Sequence, residues 1–331
     1  MYLIGQGPVR TLVDAGSGHE STMHQFSSWA QSQRIKVDTV LLTHAHKNHT
    51  RGLPMISSLL LKDAKIMKIP LGKDAIPGVH ALKDGQMIVR NADQDKNSLR
   101  VIHTPGHASD HACFHLLEED ALISGDAITT KAYSSGSRLT ESDAAFENLE
   151  EYLRSLSKLQ QIFPKLVFPG HGYLIVNPIQ MLDMARDCQS RISTQLHRQL
   201  TVSGRNPLST GRLIELFFKE NKIENENDRF LLQGTIRLHL LRLEQQGLIK
   251  RVPGIKDPMD TGSHKSDPAK IKGPGGLNMA QIFGSIQESR RRDWESVKGL
   301  DRIRSPFSRD QLHPIHASVQ LSAHVHWSPL S

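Results

Sequence analysis

Three histidines fall within six residues where an apolar run ends: Val37–Thr43 (VDTVLLT) leads directly into His44-Ala45-His46-Lys47-Asn48-His49. Imidazole is the commonest protein ligand for transition metals. The bland alternative, a solvated polar loop, does not account for that density at the end of an apolar run. Four more polar residues end short apolar runs in the same way. His107 follows His103-Thr104-Pro105-Gly106, Asp126 follows Leu122-Ile123-Ser124-Gly125, His171 follows Phe168-Pro169-Gly170, and Asp14 follows Leu12-Val13. Glycine beside such residues lets backbones approach closely. Strand ends in one sheet converge on one rim, so these side chains can meet. Imidazoles and carboxylates without cysteine suit Zn²⁺, with Mn²⁺ and iron compatible.

The elements that must position these residues are readable as short strands and longer helices. Tyr2–Ile4 and Thr11–Val13 read as strands joined by a Gly5–Pro8 turn, followed by strands at Val37–Thr43, Ile66–Ile69 and Leu99–His103. Phe114–Leu117 and Ala121–Ser124 flank the acidic turn Glu118-Glu119-Asp120 and read as a hairpin, and Leu166–Phe168 is a further strand cut off by Pro169-Gly170. Thr140 with Asp143 resembles a capping box opening a helix whose stripe is Phe146, Leu149, Leu153, Leu156 and Phe163. Ile179 to about Leu200 is helical, Ser209/Thr210 opens another helix, Asp228–Gln246 a third, and Leu248–Val252 a strand. Past Pro253 the pattern dissolves, so 253–331 is expected to be a largely disordered basic tail, with a short helix near Met279–Glu295.

The chain has 331 residues, enough for two domains, with 37% hydrophobic and 23% charged residues, as in a globular protein. Its net charge is +7, but 250–331 hold 13 Lys and Arg against 8 Asp and Glu, so most of the excess lies in the tail. The basic balance is therefore weak evidence for nucleic-acid binding by the folded part. Two cysteines, Cys113 and Cys188, exclude a disulfide scaffold and a cysteine zinc finger, and point to reduced, intracellular surroundings. No run of 18 apolar residues and no signal-peptide pattern is present.

Taken in order, Asp14, HAHKNH, His107, Asp126 and His171 resemble the five motifs of the metallo-β-lactamase superfamily. HTPGHASDH, SGDAI and FPGHG look most like its β-lactamase-like protein 2 group, described as zinc-dependent endoribonucleases of single-stranded RNA. The resemblance covers about residues 1–252. It implies an α/β fold, the αββα sandwich, over 1–176. A helical connector and small winged-helix-like domain would occupy 177–252, where LQGTIRLHLLRLEQQGLIKR carries the likeness. It also implies a further strand or two before the position of Tyr2, whose lack would leave an exposed sheet edge.

The implied cofactor is one or two Zn²⁺. His44, His46 and His107 would hold the first ion and His49 and His171 the second, with Asp126 bridging. Asp14 would orient a ligand histidine by accepting its other N–H, and His111, beside the His107 loop, is expected to support the site from behind. The motif's usual Asp is here Asn48. That position and Asp126 would serve catalysis through a zinc-bound hydroxide, the second ion being held more weakly because an amide replaces a carboxylate. Single-stranded RNA is the implied partner, with a mitochondrial matrix or cytoplasmic setting and no membrane. A thioester hydrolase of the polyketide-thioesterase or glyoxalase II type shares the motifs. A low-activity family member is a third reading, carried by Asn48.

Overall fold

The computed structural model describes residues 1–60, 64–70, 78–89, 98–130, 146–204, 207–224 and 226–250. Readings that fall on other residues, among them the Thr140 capping box, the whole 253–331 tail and its short helix, lie outside the described residues. The strands are β1 (Tyr2–Ile4), β2 (Val9–Val13), β3 (Lys36–Leu41), β4 (Lys65–Lys68), β5 (Val79–Ala81), β6 (Met87–Val89), β7 (Ser98–His103), β8 (Ala112–Leu116), β9 (Ala121–Gly125) and β10 (Leu166–Pro169). The helices are α1 (Glu20–Ser32), α2 (Lys47–Thr50), α3 (Leu53–Leu60), α4 (Leu149–Gln160), α5 (Pro178–Val202), α6 (Thr210–Asn221) and α7 (Glu226–Gln245).

Among the described residues two five-stranded sheets form, in the orders β1-β2-β3-β4-β5 and β10-β9-β8-β7-β6. In the first, β1 and β2 are antiparallel with Tyr2 opposite Val13, while β2, β3, β4 and β5 run parallel. The edge strand β1 buries Tyr2, Leu3 and Ile4. Parallel neighbours place their carboxyl ends together. Chain positions following β2 and β3, namely Asp14 and the His44 loop, therefore share one rim.

By compactness the described residues divide into two units, one within Met1–Ile102 and Phe114–Glu119, the other within His103–Cys113 and the described residues from 120 to 250. The first unit has its own core. Leu12, Val37, Val40 and Leu42 from the sheet pack with Met23, Phe26 and Ala30 of α1 and with Leu53 and Ile56 of α3. Gly52, where α2 passes into α3, is required by space: a Cβ there would sit 2.0 Å from the Ala15 carbonyl oxygen. That close approach holds α2 against the end of β2.

In the second unit β9 and β10 are parallel, and Gly170 N–H donates to the Gly125 carbonyl at 2.7 Å. The helices α5, α6 and α7 enclose a separate core of Ile192, Leu196, Ile214, Phe217, Leu232, Ile236 and Leu243, with Leu240 half-buried against it. Each such aliphatic side chain contributes roughly 1.5–3 kcal/mol. Ser209 caps α6 by accepting from Arg212 N–H at 3.2 Å.

Three expectations are corrected. The helix between β9 and β10 does not include Phe146. Asn148 caps it by accepting from Glu151 N–H, and α4 begins at Leu149. Phe163 lies beyond α4 with φ 51° and is 65% exposed, so it is no part of the buried stripe. Leu248–Lys250 form no strand: Gly247 turns left-handed at φ 70° and Leu248 N–H donates back to Leu243, closing α7 with a cap. No wing strand accompanies α5–α7 among the described residues.

Candidate metal centre

In the first unit the rim after β2 and β3 gathers five of the expected residues, Asp14, His44, His46, Asn48 and His49. Asp14 adopts φ 57°, a left-handed turn that Asp tolerates, and its N–H donates to Leu41 at 2.9 Å. The Ala15 N–H donates to the His49 carbonyl at 2.7 Å, pinning α2 to the end of β2. The buried Asp14 carboxylate accepts from Thr43 N–H at 2.8 Å, from the Thr43 hydroxyl at 2.9 Å and from His49 Nδ1 at 2.7 Å. A carboxylate only accepts, so Nδ1 of His49 carries the proton and Nε2 keeps its lone pair. His44 Nε2 lies 3.0 Å from His46 Nδ1, and the His44 and His49 rings are 4.2 Å apart. Ligand atoms of His44 and His46, and of His44 and His49, fall within 4.8 Å. Asn48 is half-buried in α2, between His46 and His49 in the chain. Tyr2, buried on β1, has its hydroxyl pKa pushed up, first by burial and then by the Asp14 charge.

The second unit gathers the other four. His107 Nε2 and His171 Nε2 lie 3.5 and 3.6 Å from one oxygen, Asp126 Oδ2. Those spacings are longer than a hydrogen bond. They match two donors on one tetrahedral ion at bond lengths of about 2.0–2.2 Å, which puts ligand atoms roughly 3.4 Å apart. His107 and Asp126 are buried and His171 is half-buried. His111, fully buried, accepts from the Asp126 backbone N–H through Nε2 at 3.0 Å, so its Nδ1 carries the proton and donates to Thr104 Oγ1 at 2.8 Å. It touches the carboxylate residue's backbone and is placed to hold the Asp126 turn. The loop before His107 is fixed by Gly106, at φ 133°, where a Cβ would sit 2.3 Å from the Tyr152 backbone. His103 donates to the Ser109 carbonyl, 3.0 Å away, tying the same loop. Cys113 lies behind, its thiol pushed up to about 12 by burial.

The donors of both groups are imidazoles and a carboxylate, the set that suits a borderline divalent ion. Thr43 and Thr104 are supporting residues that sequence reading alone does not single out. Each stands next to, or three residues before, a candidate ligand histidine, inside the His-rich motifs themselves.

A metallo-beta-lactamase superfamily model matches residues 91–171. The chain is 32% identical over 232 residues to an atrochrysone carboxyl ACP thioesterase of Aspergillus fumigatus, covering 66% of this chain and 67% of that protein. The chain belongs to the metallo-β-lactamase superfamily. It is 29% identical over 262 residues to a beta-lactamase-like protein 2 homolog of Drosophila melanogaster, covering 75% and 83% of the two chains. A metallo-beta-lactamase family protein of Thermus thermophilus shares the fold at a TM-score of 0.56 and 22% identity, over 76% of this chain and 89% of that one. This member of the superfamily is thus a hydrolase of mixed α/β fold, with His and Asp residues grouped so that they could hold a metal ion. No helix among the described residues is long and apolar enough to cross a membrane.

Proposed function

We infer that the residues holding one or two Zn²⁺ are His44, His46 and His49 of the first unit and His107, Asp126 and His171 of the second, and that the hydrolase cleaves phosphodiester bonds of single-stranded RNA. Bound metal supplies Lewis acidity and lowers the pKa of coordinated water to near neutral. The chain's own residues hold and orient. Asp14 keeps His49 in the tautomer that leaves Nε2 available, and His111 holds the turn carrying Asp126. Asn48 offers an amide where a carboxylate is usual, which favours the first ion over the second.

The observation that carries the RNA reading is Tyr173. It is 84% exposed two residues after His171, yet its backbone is pinned: Tyr173 N–H donates to Thr130 Oγ1 at 2.5 Å, and Thr130 N–H donates to the His171 carbonyl at 3.3 Å. An exposed aromatic ring on a fixed loop beside a ligand histidine is a stacking platform for a base, worth about 1–3 kcal/mol per base. The match to the beta-lactamase-like protein 2 homolog, which extends over 262 residues, supports the same reading. The second reading, hydrolysis of an acyl thioester, is favoured by the relative named as a thioesterase.

The deciding experiment offers the full chain a short single-stranded RNA and, in parallel, an acyl-thioester, each with and without chelator. RNA cleavage that chelator abolishes, with Tyr173→Ala raising KM several-fold and sparing kcat, is the expected result. Thioester turnover without RNA cleavage would hand the site to the second reading.

A further inference from the structure

Away from the metal ligands, the second unit holds a cavity of about 490 Å³ between α4, α5 and α7. Its floor is a closed polar network. His239 of α7, fully buried, meets Ser193 Oγ through Nδ1 at 2.7 Å and Gln189 Oε1 through Nε2 at 3.0 Å, and both α5 residues are buried. Buried hydrogen-bonded networks of this kind fix the geometry of what lies over them. The walls are basic. Arg154, Arg186 and Arg242 line the cavity against one carboxylate, Glu150, which Arg242 engages. Arg186 spends a donor on the neutral amide of Gln160, which leaves its charge uncompensated there. Arg154 makes no ion pair among the described residues and is exposed. Ser190 and Thr194 add hydroxyls, and Leu153, Leu243 and Leu248 give one apolar side, Leu248 being 53% exposed.

We propose that this cavity binds a phosphomonoester with an organic body of nucleotide size, through Arg154 and Arg186. Guanidinium groups match phosphate oxygens bidentately, and the surplus of two positive charges among the lining side chains matches a phosphate dianion. A lone phosphate would fill little of the space, whereas ligand cavities of roughly 300–1,000 Å³ suit small organic molecules. The leucines receive the organic part while the arginines and hydroxyls receive the phosphate. The site does not depend on the metal ligands or on the nature of the hydrolysed substrate.

The test is calorimetric titration of the full chain with 5′-AMP, adenosine and inorganic phosphate, repeated in chelator. 5′-AMP is expected to bind in both conditions, inorganic phosphate more weakly, and adenosine not measurably. Arg154→Ala with Arg186→Ala should weaken 5′-AMP at least tenfold. Both arginines are exposed, so an unchanged melting temperature checks the fold of that variant. No binding of 5′-AMP, equal binding of adenosine, loss of binding in chelator, or indifference to the double substitution would each overturn the proposal.

Discussion

Replacing Asp14 by Asn tests the first unit's half of the centre with almost no change of shape. Asn tolerates the left-handed φ of 57° as Asp does, whereas Ala would add backbone strain of roughly 1–2 kcal/mol. The amide oxygen can keep the Thr43 N–H bond of 2.8 Å. The amide nitrogen then faces His49 Nδ1, 2.7 Å away in the native protein, and two donors oppose each other. The imidazole relieves this by moving its proton to Nε2, the atom that must stay bare to hold a metal. Losing such an outer partner typically lowers metal affinity 10–100-fold, or about 1.4–2.7 kcal/mol. Exchanging the charged acceptor for a neutral one should also cost roughly 1–2 kcal/mol of stability.

Competition against a chromophoric zinc chelator measures the affinity, and nitrogen-15 spectra of the labelled imidazoles report the tautomer. The expected pair of results is a His49 proton moved to Nε2 and affinity down by at least tenfold. An unmoved proton with unchanged affinity would show that Asp14 does not set the tautomer. A moved proton with unchanged affinity would show that His49 is not a ligand.

Other consequences are open to simple measurement. Asn48→Asp should raise zinc content toward two per chain and raise the hydrolytic rate, since an anionic oxygen is the better donor to a hard or borderline cation; equal metal content and equal rates by mass spectrometry and initial-rate assay would refute this. Cys113, buried with its thiol pushed up to about 12, should resist alkylation at pH 8 in the folded protein and react on unfolding, which mass-shift analysis checks. His239 has its pKa lowered from 6.5 to about 3, first by burial and then by Arg242. The unfolded chain therefore binds the extra proton first as pH falls. Stability should be full above about pH 6.5 and decline toward pH 3 by up to about 1.4 kcal/mol per pH unit from this group, a slope that denaturant melts of His239→Gln should flatten.

Much of this is legible in the chain. The candidate ligand residues follow short apolar strands, and eight of the ten strands among the described residues and the helices α5, α6 and α7 fall close to where periodicity puts them. The other two strands, Val79–Ala81 and Met87–Val89, have three residues each, too few to show alternation. The helix α1 escapes a reading by pattern although Met23, Phe26 and Ala30 are spaced for one face. Its remaining residues are mostly polar, which masks a narrow stripe. The start of α4 differs from expectation because Asn148 is the acceptor that caps the helix, which leaves Phe146 outside it. The strand expected at Leu248–Val252 does not form over its described part because Leu248 N–H is taken by Leu243 and so is not offered to a neighbouring strand.

What the residue types do not display is how charge reaches the ligands. With Asn48 neutral, Asp126 is the one carboxylate among the residues that would contact metal directly, and its backbone is held by His111. Asp14 supplies a second negative charge one bond further out, through the 2.7 Å contact to His49 Nδ1. A carboxylate behind an imidazole raises the basicity of its far nitrogen, so His49 is a stronger donor than an isolated histidine would be. Thr43 makes this arrangement specific: its N–H and hydroxyl both meet Asp14, and the same hydroxyl lies 3.0 Å from His44 Nδ1. A β-branched residue at a strand end would ordinarily be read as packing alone. Here its hydroxyl joins His44 and His49 to one buried carboxylate, which would keep these candidate ligands oriented where the amide of Asn48 stands in place of the usual aspartate.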